Sequence, residues 1–263
     1  DANTAVGYQS LYTNTTGASN TSVGYQAGYN NSTAYSNVAV GRAALFNNSI
    51  GVHNVAVGRD SLFYNTASSH TAVGHQALYN NTSGAQSVAI GYQALVSNTT
   101  ASNIGVGYQS GYNLTTGTVN TLVGYQAGFD LTTGDQNTAF GYRTLYELTT
   151  ADYNTAYGSQ SLRNATTATR NVAVGFNAGV GITTGGYNTL IGSDAADSLT
   201  TGVNNVAVGY KALQNQTIGS SSVVIGFEAA QSLRANKAIT AVGYKAGYYF
   251  NPTGTQTYGD VYV

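Results

Sequence analysis

The sequence predicts an all-β fold, a parallel β-solenoid of about fifteen 17-residue coils, and three observations lead to it. One phrase recurs along the chain: NTAVGYQSL at residues 3–11 returns as NTSVGYQAG at residues 20–28 and continues toward the C-terminus. The copies are 17 residues apart, except for two intervals of 16 residues. Each copy also alternates apolar and small residues as a strand does. A fixed period indicates stacked repeats, and this period is too short for a helical hairpin or a propeller blade.

An invariant glycine marks each copy. A residue that is always Gly indicates a backbone conformation closed to side chains, or the close approach of another backbone. The repeat glycines are Gly7, Gly24, Gly41, Gly58, Gly74, Gly91, Gly107, Gly124, Gly141, Gly158, Gly175, Gly192, Gly209, Gly226 and Gly243.

The strand lies immediately before that glycine. We number the consensus N-T-A-V-G-Y-Q-A-L-Y-N-N-T-T-G-x-x from position 1 to position 17, so that Asn3 is the first position 1. Position 2 is Thr, Val or Ile and position 4 is apolar, and both must point away from position 3. We therefore expect position 4 to form the core of the solenoid. This predicted core ladder comprises Val6, Val23, Val40, Val57, Val73, Ile90, Val106, Val123, Phe140, Val174, Ile191, Val208, Ile225 and Val242.

The end of the repeat reads as a turn. Both 16-residue copies lose their residue between positions 13 and 17, at 65–70 and 98–103. Deletions are tolerated where the chain turns in solvent. The T-T-G-x-x segment is therefore the predicted turn, and the always small position 8 and the Leu, Gly or Ala at position 9 are predicted corners.

Position 12 changes character along the chain. It is Asn in the first six copies and mostly Leu later, which we interpret as an inward column of stacked Asn amides followed by a column of Leu. The alternative is that these Asn residues only cap turns. The position-12 residues are Asn14, Asn31, Asn48, Asn65, Asn81, Asn98, Leu114, Leu131, Leu148, Ala165, Ile182, Leu199, Gln216 and Leu233.

Stacking supplies the stability that one coil lacks. At about 4.8 Å per coil, each coil covers its neighbour's apolar face and pairs its backbone groups, and fifteen coils would extend roughly 70 Å. Identical residues then form ladders, including aromatic ladders at positions 6 and 10. The 22 Tyr residues and the β-branched residues argue against disorder.

Composition excludes several functions. Charged residues make up only 7% of the chain, and the nine Lys and Arg are scattered, so we expect no nucleic-acid partner. No apolar run approaches the ~20 residues of a membrane helix, so this segment is not expected to insert into a membrane. The chain has no Cys, which excludes disulfides and thiol chemistry.

Candidate chemistry is sparse. Asp130, Asp135, Glu147 and Asp152 come from neighbouring coils, but they read better as a solvated acidic stripe than as a catalytic pair. His53, His70 and His75 also come from adjoining coils without a metal-binding spacing. The RTX calcium repeat is missing as well. We expect no enzyme activity, no cofactor and no metal.

The repeats resemble a known family. NVAVG at 37–41, 54–58, 171–175 and 205–209 is similar to the head repeats of YadA-like trimeric autotransporter adhesins, as are SVAIG at 87–91 and SVVIG at 222–226. The fuller N-T-A-V-G-Y-Q-A-L phrase resembles repeats of phage tail fibres. The resemblance covers about residues 3–247. It implies a left-handed β-roll and a side-by-side homotrimer, with small position-3 residues facing the partners.

These features lead to one expected function with two alternatives. We expect a non-catalytic structural fibre or adhesin shaft, extracellular on a virion or bacterial surface, that presents or contacts a glycan or protein receptor. The alternatives are an ice- or crystal-binding solenoid, suggested by the recurring Thr pairs, and a polysaccharide-acting enzyme on a solenoid. Residues 1–247 form the expected repeat domain, and residues 248–263 the expected cap or junction.

Overall fold

The computed structural model describes residues 2–233, 238–248 and 260–262. The predicted fold class is confirmed: the chain is an all-β parallel β-solenoid with a 17-residue period. It divides into two compact units, unit 1 (Asp1–Gly134) and unit 2 (Asp135–Val263). The hand of the coil stays a prediction.

Unit 1 contains eight strands of three residues, one per coil. Consecutive strands pair in parallel and in register, so that Val6 lies beside Val23 and Val40 beside Val57. The strands are β1 (Thr4–Val6), β2 (Thr21–Val23), β3 (Val38–Val40), β4 (Val55–Val57), β5 (Thr71–Val73), β6 (Val88–Ile90), β7 (Ile104–Val106) and β8 (Thr121–Val123).

Unit 2 repeats the same arrangement. Its strands also pair with their sequence neighbours in parallel, as Val174 does with Ile191. They are β9 (Thr138–Phe140), β10 (Thr155–Tyr157), β11 (Val172–Val174), β12 (Thr189–Ile191), β13 (Val206–Val208), β14 (Val223–Ile225), β15 (Ile239–Val242) and β16 (Asp260–Tyr262). The predicted cap at 248–263 lies outside the described residues, apart from Tyr248 and β16, which pairs with β15.

The repeat glycine has both properties that its invariance predicts. Gly58 adopts φ +127, and a Cβ there would lie 2.6 Å from the carbonyl oxygen of Gly74 in the next coil. Gly175 in unit 2 adopts φ +138, with a Cβ 2.5 Å from the Gly192 oxygen. Only Gly combines this backbone region with so close an approach of the next backbone.

The predicted core ladder at position 4 is wrong. Not one of its fourteen members is buried; Ile90 is 41% exposed and Ile191 39%. Position 3 points inward instead, as the buried Ala39 and Ala156 do. The alternation of the strand is confirmed, but the face that carries position 3, and not the face that carries positions 2 and 4, forms the core. This also removes the expectation that position 3 faces partner chains.

The width of the coil explains why the inward position 3 usually holds a small residue. Position 3 faces the Leu side chains that enter from position 9, so there is room for a large residue at only one of the two positions. Leu122 at position 3 lies against Gly111 and Gly128, where an added Cβ would meet its methyl groups at 2.8 Å. Conversely, the small Gly105 at position 3 lies against Leu95. Position-12 residues complete the core; the large apolar side chains among them that are fully buried are Leu114, Leu131, Leu148, Ile182, Leu199 and Leu233.

Three corners bend each coil. Residues at positions 7, 9 and 17 adopt left-handed φ without being Gly in most copies, as Gln93 (φ 52), Leu95 (φ 50) and Ser102 (φ 61) do. Such conformations are uncommon for residues with a Cβ. Hydrogen bonds to neighbouring coils hold them: the Gln93 and Ser102 N–H groups donate to the coil before, and that of Leu95 donates to the coil after.

Candidate functional site

The outward side of the strands forms a regular surface in each unit. We call the residues at positions 2 and 4 the outer strand face. In unit 1 it carries Thr, Val and Ile, with Ile104 38% exposed beside Val106. In unit 2 the same columns include Phe140 and Tyr157, whose rings stack at 5.5 Å. This face carries no charged side chain and combines Thr with exposed Val, Ile and aromatic residues, a composition that suits a protein contact surface.

The predicted Asn column at position 12 is confirmed from Asn14 to Asn65 and breaks at Asn81, whose amide has no partner among the described residues. The Asn31 amide donates to Asn14 Oδ1 at 3.1 Å, and the Asn65 amide donates to Asn48 Oδ1 at 3.1 Å. Asn48 also donates to the carbonyl oxygen of Gly51 at 2.7 Å. These side chains therefore do more than cap turns, since they hydrogen-bond from coil to coil while buried.

A second buried column, at position 1, was not predicted. From Asn154 to Asn205 each Asn repeats three bonds: the backbone N–H and the side-chain amide of Asn171 both donate to Asn154 Oδ1, at 3.1 and 3.2 Å, and the amide also donates to the Gly185 carbonyl oxygen at 3.0 Å. The near-constant Asn at position 1 was the signal in the sequence. Asn is also common in turns, so a recurring Asn is easily taken for a turn residue. The Asn members are Asn3, Asn20, Asn37, Asn54, Asn103, Asn120, Asn137, Asn154, Asn171, Asn188 and Asn205.

His70 replaces Asn in this column. Its Nδ1 accepts the backbone N–H of Ser87 at 3.2 Å, as an Asn oxygen does elsewhere, while its Nε2 has no hydrogen-bond partner among the described residues. The ring is 1% exposed. Burial lowers the pKa of His70 to about 4, because the charged imidazolium would lose its hydration there. His70 is therefore a neutral member of the structure.

The predicted aromatic ladders are present. Outward rings at position 6 stack from coil to coil, with Tyr92, Tyr108 and Tyr125 spaced 5.3 and 5.0 Å apart between ring centroids. Beside them runs a ladder of Gln amides at position 7, in which Gln93 donates to Gln76 at 2.9 Å. Parallel stacking directs the ring faces toward neighbouring rings, so the ladder presents mainly ring edges and hydroxyl groups to solvent.

The recurring Thr pairs have an internal use. The position-13 hydroxyl donates to the backbone carbonyl of the next coil, as Thr115 does to Thr132 at 3.1 Å and Thr149 to Thr166 at 2.9 Å. The ordered Thr array thus closes the turns of adjacent coils. A lattice-binding role is not needed to explain it.

Two of the acidic candidates accept hydrogen bonds from neighbouring coils. Asp130 accepts a bond from the Asn113 amide at 3.1 Å in unit 1, and Asp152 accepts the backbone N–H of Asp135 at 2.7 Å in unit 2. Both carboxylates therefore serve coil-to-coil hydrogen bonding. Half-buried Glu147 has its backbone N–H bonded to Arg163 at 2.9 Å.

The three histidines occupy different settings. His53 packs edge-on against Tyr35, His70 is in the core, and His75 stacks on Tyr92. Within the described part of the chain, no group of three or more His, Cys, Asp or Glu residues is placed to hold a metal. The same residues include no helix with the length and apolar character needed to cross a membrane.

Comparison with known proteins adds no functional assignment to the repeats and columns of this chain. Searches with this chain found no matching protein-family model, no matching curated protein and no matching solved structure.

Proposed function

We propose that this β-solenoid is a non-catalytic structural shaft of a fibre or adhesin on a virion or bacterial cell surface. The outer strand face is the observation that carries the proposal. A shaft requires a regular, stable body and a surface for association, whereas an enzyme requires convergent polar groups in a pocket. The columns of Val, Ile and Thr supply the regular body and the surface for association. The carboxylates of Asp130 and Asp152 are each engaged in coil-to-coil bonding and do not supply such a pocket.

In this proposal three copies associate side by side through the outer strand face. Ile90, Ile104 and Val106 on adjacent strands are exposed or half-exposed in the single chain. A contiguous apolar surface of this kind is costly to leave in water and gains free energy when covered by an identical surface. Because positions 2 and 4 are the outward ones, they replace the small position-3 residues as the proposed contacts between chains.

The mass in solution tests the association. Native mass spectrometry and light scattering should give three times the 27.1 kDa of one chain. Ile90→Lys should reduce the mass to that of a single folded chain, because it places charges at the centre of the contact. Ile50→Lys is the matched control: Ile50 is 64% exposed on a turn, outside the outer strand face, and its replacement should leave the assembly intact.

Two results would contradict the proposal. A wild-type mass of one chain at micromolar concentration, with unchanged circular dichroism, would remove the trimer. Reproducible turnover of a polysaccharide by the purified protein would remove the non-catalytic shaft. Binding of labelled protein to bacterial or host surface glycans, weakened in Ile90→Lys through loss of multivalency, would support contact with a receptor.

A further inference from the structure

The composition of the chain directs oxidation to tyrosine. It contains no Cys, no Met and no Trp, but 22 Tyr residues. The side chains that normally lose electrons first are thus missing, and phenols are the most readily oxidised groups that remain. A one-electron oxidant acting on this protein should therefore produce tyrosyl radicals.

The solenoid places several of these phenols in parallel pairs. The rings of Tyr92 and Tyr108 have centroids 5.3 Å apart and planes 8° apart, and those of Tyr108 and Tyr125 are 5.0 Å and 8° apart. These three rings are 41–44% exposed. The N-terminal coils hold two more such pairs, Tyr8–Tyr25 and Tyr12–Tyr29, each with centroids 5.3 Å apart.

We propose that these stacked pairs are sites of dityrosine cross-linking, which joins adjacent coils by a covalent bond. Hydrogen peroxide with a haem peroxidase is the oxidant. Each of two phenols loses one electron and one proton, the two radicals join through ring carbons ortho to the hydroxyls, and both rings regain aromaticity by moving a proton to oxygen. One peroxide accepts the two electrons and two protons and gives two waters.

The stacked geometry favours coupling within the chain. The second radical forms one coil away from the first, and the exposed rings can turn from face-to-face stacking to the edge contact that the new bond needs. In a chain that lacks disulfides, each link would fix two coils that are otherwise joined only by hydrogen bonds and packing.

Two other pairs of Tyr residues serve as negative controls, because other side chains separate their rings. At position 10, Tyr29 and Tyr79 are separated in the stack by Phe46 and Phe63, which cannot form the link. In unit 2, Arg170 lies between the rings of Tyr153 and Tyr187, 5.0 and 5.4 Å from their centroids. Tyr29 and Tyr79 should therefore yield no link to each other, and neither should Tyr153 and Tyr187.

The experiment oxidises the full-length protein with peroxidase and hydrogen peroxide at low protein concentration. Proteolysis and mass spectrometry then map peptides joined with the loss of two hydrogen atoms. The expected links are 8–25, 12–29, 92–108 and 108–125. Tyr108→Phe keeps the stacked ring and should abolish both links at residue 108 while leaving 8–25 and 12–29 unchanged. Tyr187→Phe, the matched control, should change none of the four.

Oxidation of the urea-unfolded chain distinguishes stacking from mere Tyr content. Unfolding should reduce the yield of the four links several-fold and scatter the products over other Tyr pairs. The proposal is overturned if folded and unfolded chains give the same link pattern. It is equally overturned if the products of the folded protein join only separate molecules. A direct link between Tyr92 and Tyr125 in Tyr108→Phe would also overturn it, because it would show that linking does not need rings stacked in adjacent coils.

Discussion

The two units have the same backbone repeat with different interiors. In the first four coils of unit 1, position 12 is a column of Asn amides that hydrogen-bond from coil to coil, and Leu114 and Leu131 take this position at the end of the unit. In unit 2, the same position is apolar apart from Gln216, with Leu148, Ile182 and Leu199 fully buried. Position 1 hydrogen-bonds from coil to coil in both units, and in unit 2 its Asn is unbroken from Asn137 to Asn205.

The comparison shows that position 12 of the coil can hold either a buried amide or a buried apolar side chain, but that the amide has more requirements to meet. A Leu needs only space, whereas each buried amide needs partners on both sides. In unit 1 that requirement is not met everywhere: neither the nitrogen nor the oxygen of the Asn81 amide has a partner among the described residues, and His70 Nε2 also lacks one. The following predictions test this contrast.

The largest effect should be common to both units. Gly58→Ala in unit 1 and Gly175→Ala in unit 2 would each place a Cβ within 2.6 Å of a backbone oxygen at positive φ. We expect each to raise the free energy of the native state by about 3 kcal/mol or more. Hydrogen exchange measured by mass spectrometry should show loss of protection in the substituted coil and its neighbours. Full protection in either variant would contradict the close backbone approach.

Introducing the unit 1 chemistry into unit 2 should be nearly as damaging. Ile182→Asn places an amide between Ala165 and Leu199, which offer no side-chain partner in the column. We expect a loss of about 3 kcal/mol, from lost apolar burial and an under-bonded amide. Ile182→Leu controls for shape and should cost less than about 1.5 kcal/mol. Chemical denaturation read by hydrogen exchange in unit 2 measures both, and equal losses would show that polarity is not the cause.

Acid should weaken unit 1 at His70. Because the folded-state pKa is about 4 and the ordinary value 6.5, the unfolded chain binds the proton more readily between these pH values. Stability is therefore unaffected above pH 6.5, falls as the pH drops, and is about 3 kcal/mol lower below pH 4. Protonated His70 also cannot accept the Ser87 N–H.

His70→Asn restores the column residue and is the control for this effect. Hydrogen exchange of coils five and six, compared at pH 7 and pH 5 after correction for the intrinsic rate, should show acid-induced opening in the wild type. The variant should show much less. The same acid response in both proteins would exclude His70 as its origin.

The smallest effects should differ in sign within unit 1. Asn48→Leu removes three side-chain bonds, including that to Gly51 at 2.7 Å, and should cost about 2 kcal/mol. Asn81→Leu removes an amide without partners and should stabilise by about 1 kcal/mol. Thermal denaturation of the two variants beside the wild type measures the difference. Destabilisation of both would mean that Asn81 is bonded in solution.

Much of the architecture could be predicted because the repeat reports it many times over. The glycine, the in-register strands, the aromatic ladders and the Asn column at position 12 follow from residue types that recur at one spacing. The core face could not be predicted from alternation, since positions 2 and 4 are as apolar as a core requires. The pairing of Leu122 with Gly111 and Gly128 was an available signal, because large residues at position 3 accompany small ones at position 9.

The sequence by itself determined the period, the strand positions and the stacking of like on like, because only stacking lets so short a coil bury its side chains and pair its backbone. The tertiary structure decided which strand face is inside, since that depends on the width left between position 3 and the Leu side chains opposite. It also decided that Gln93, Leu95 and Ser102 bend the coil in left-handed conformations. Their residue types do not favour these conformations, but bonds to the coils on either side hold them there.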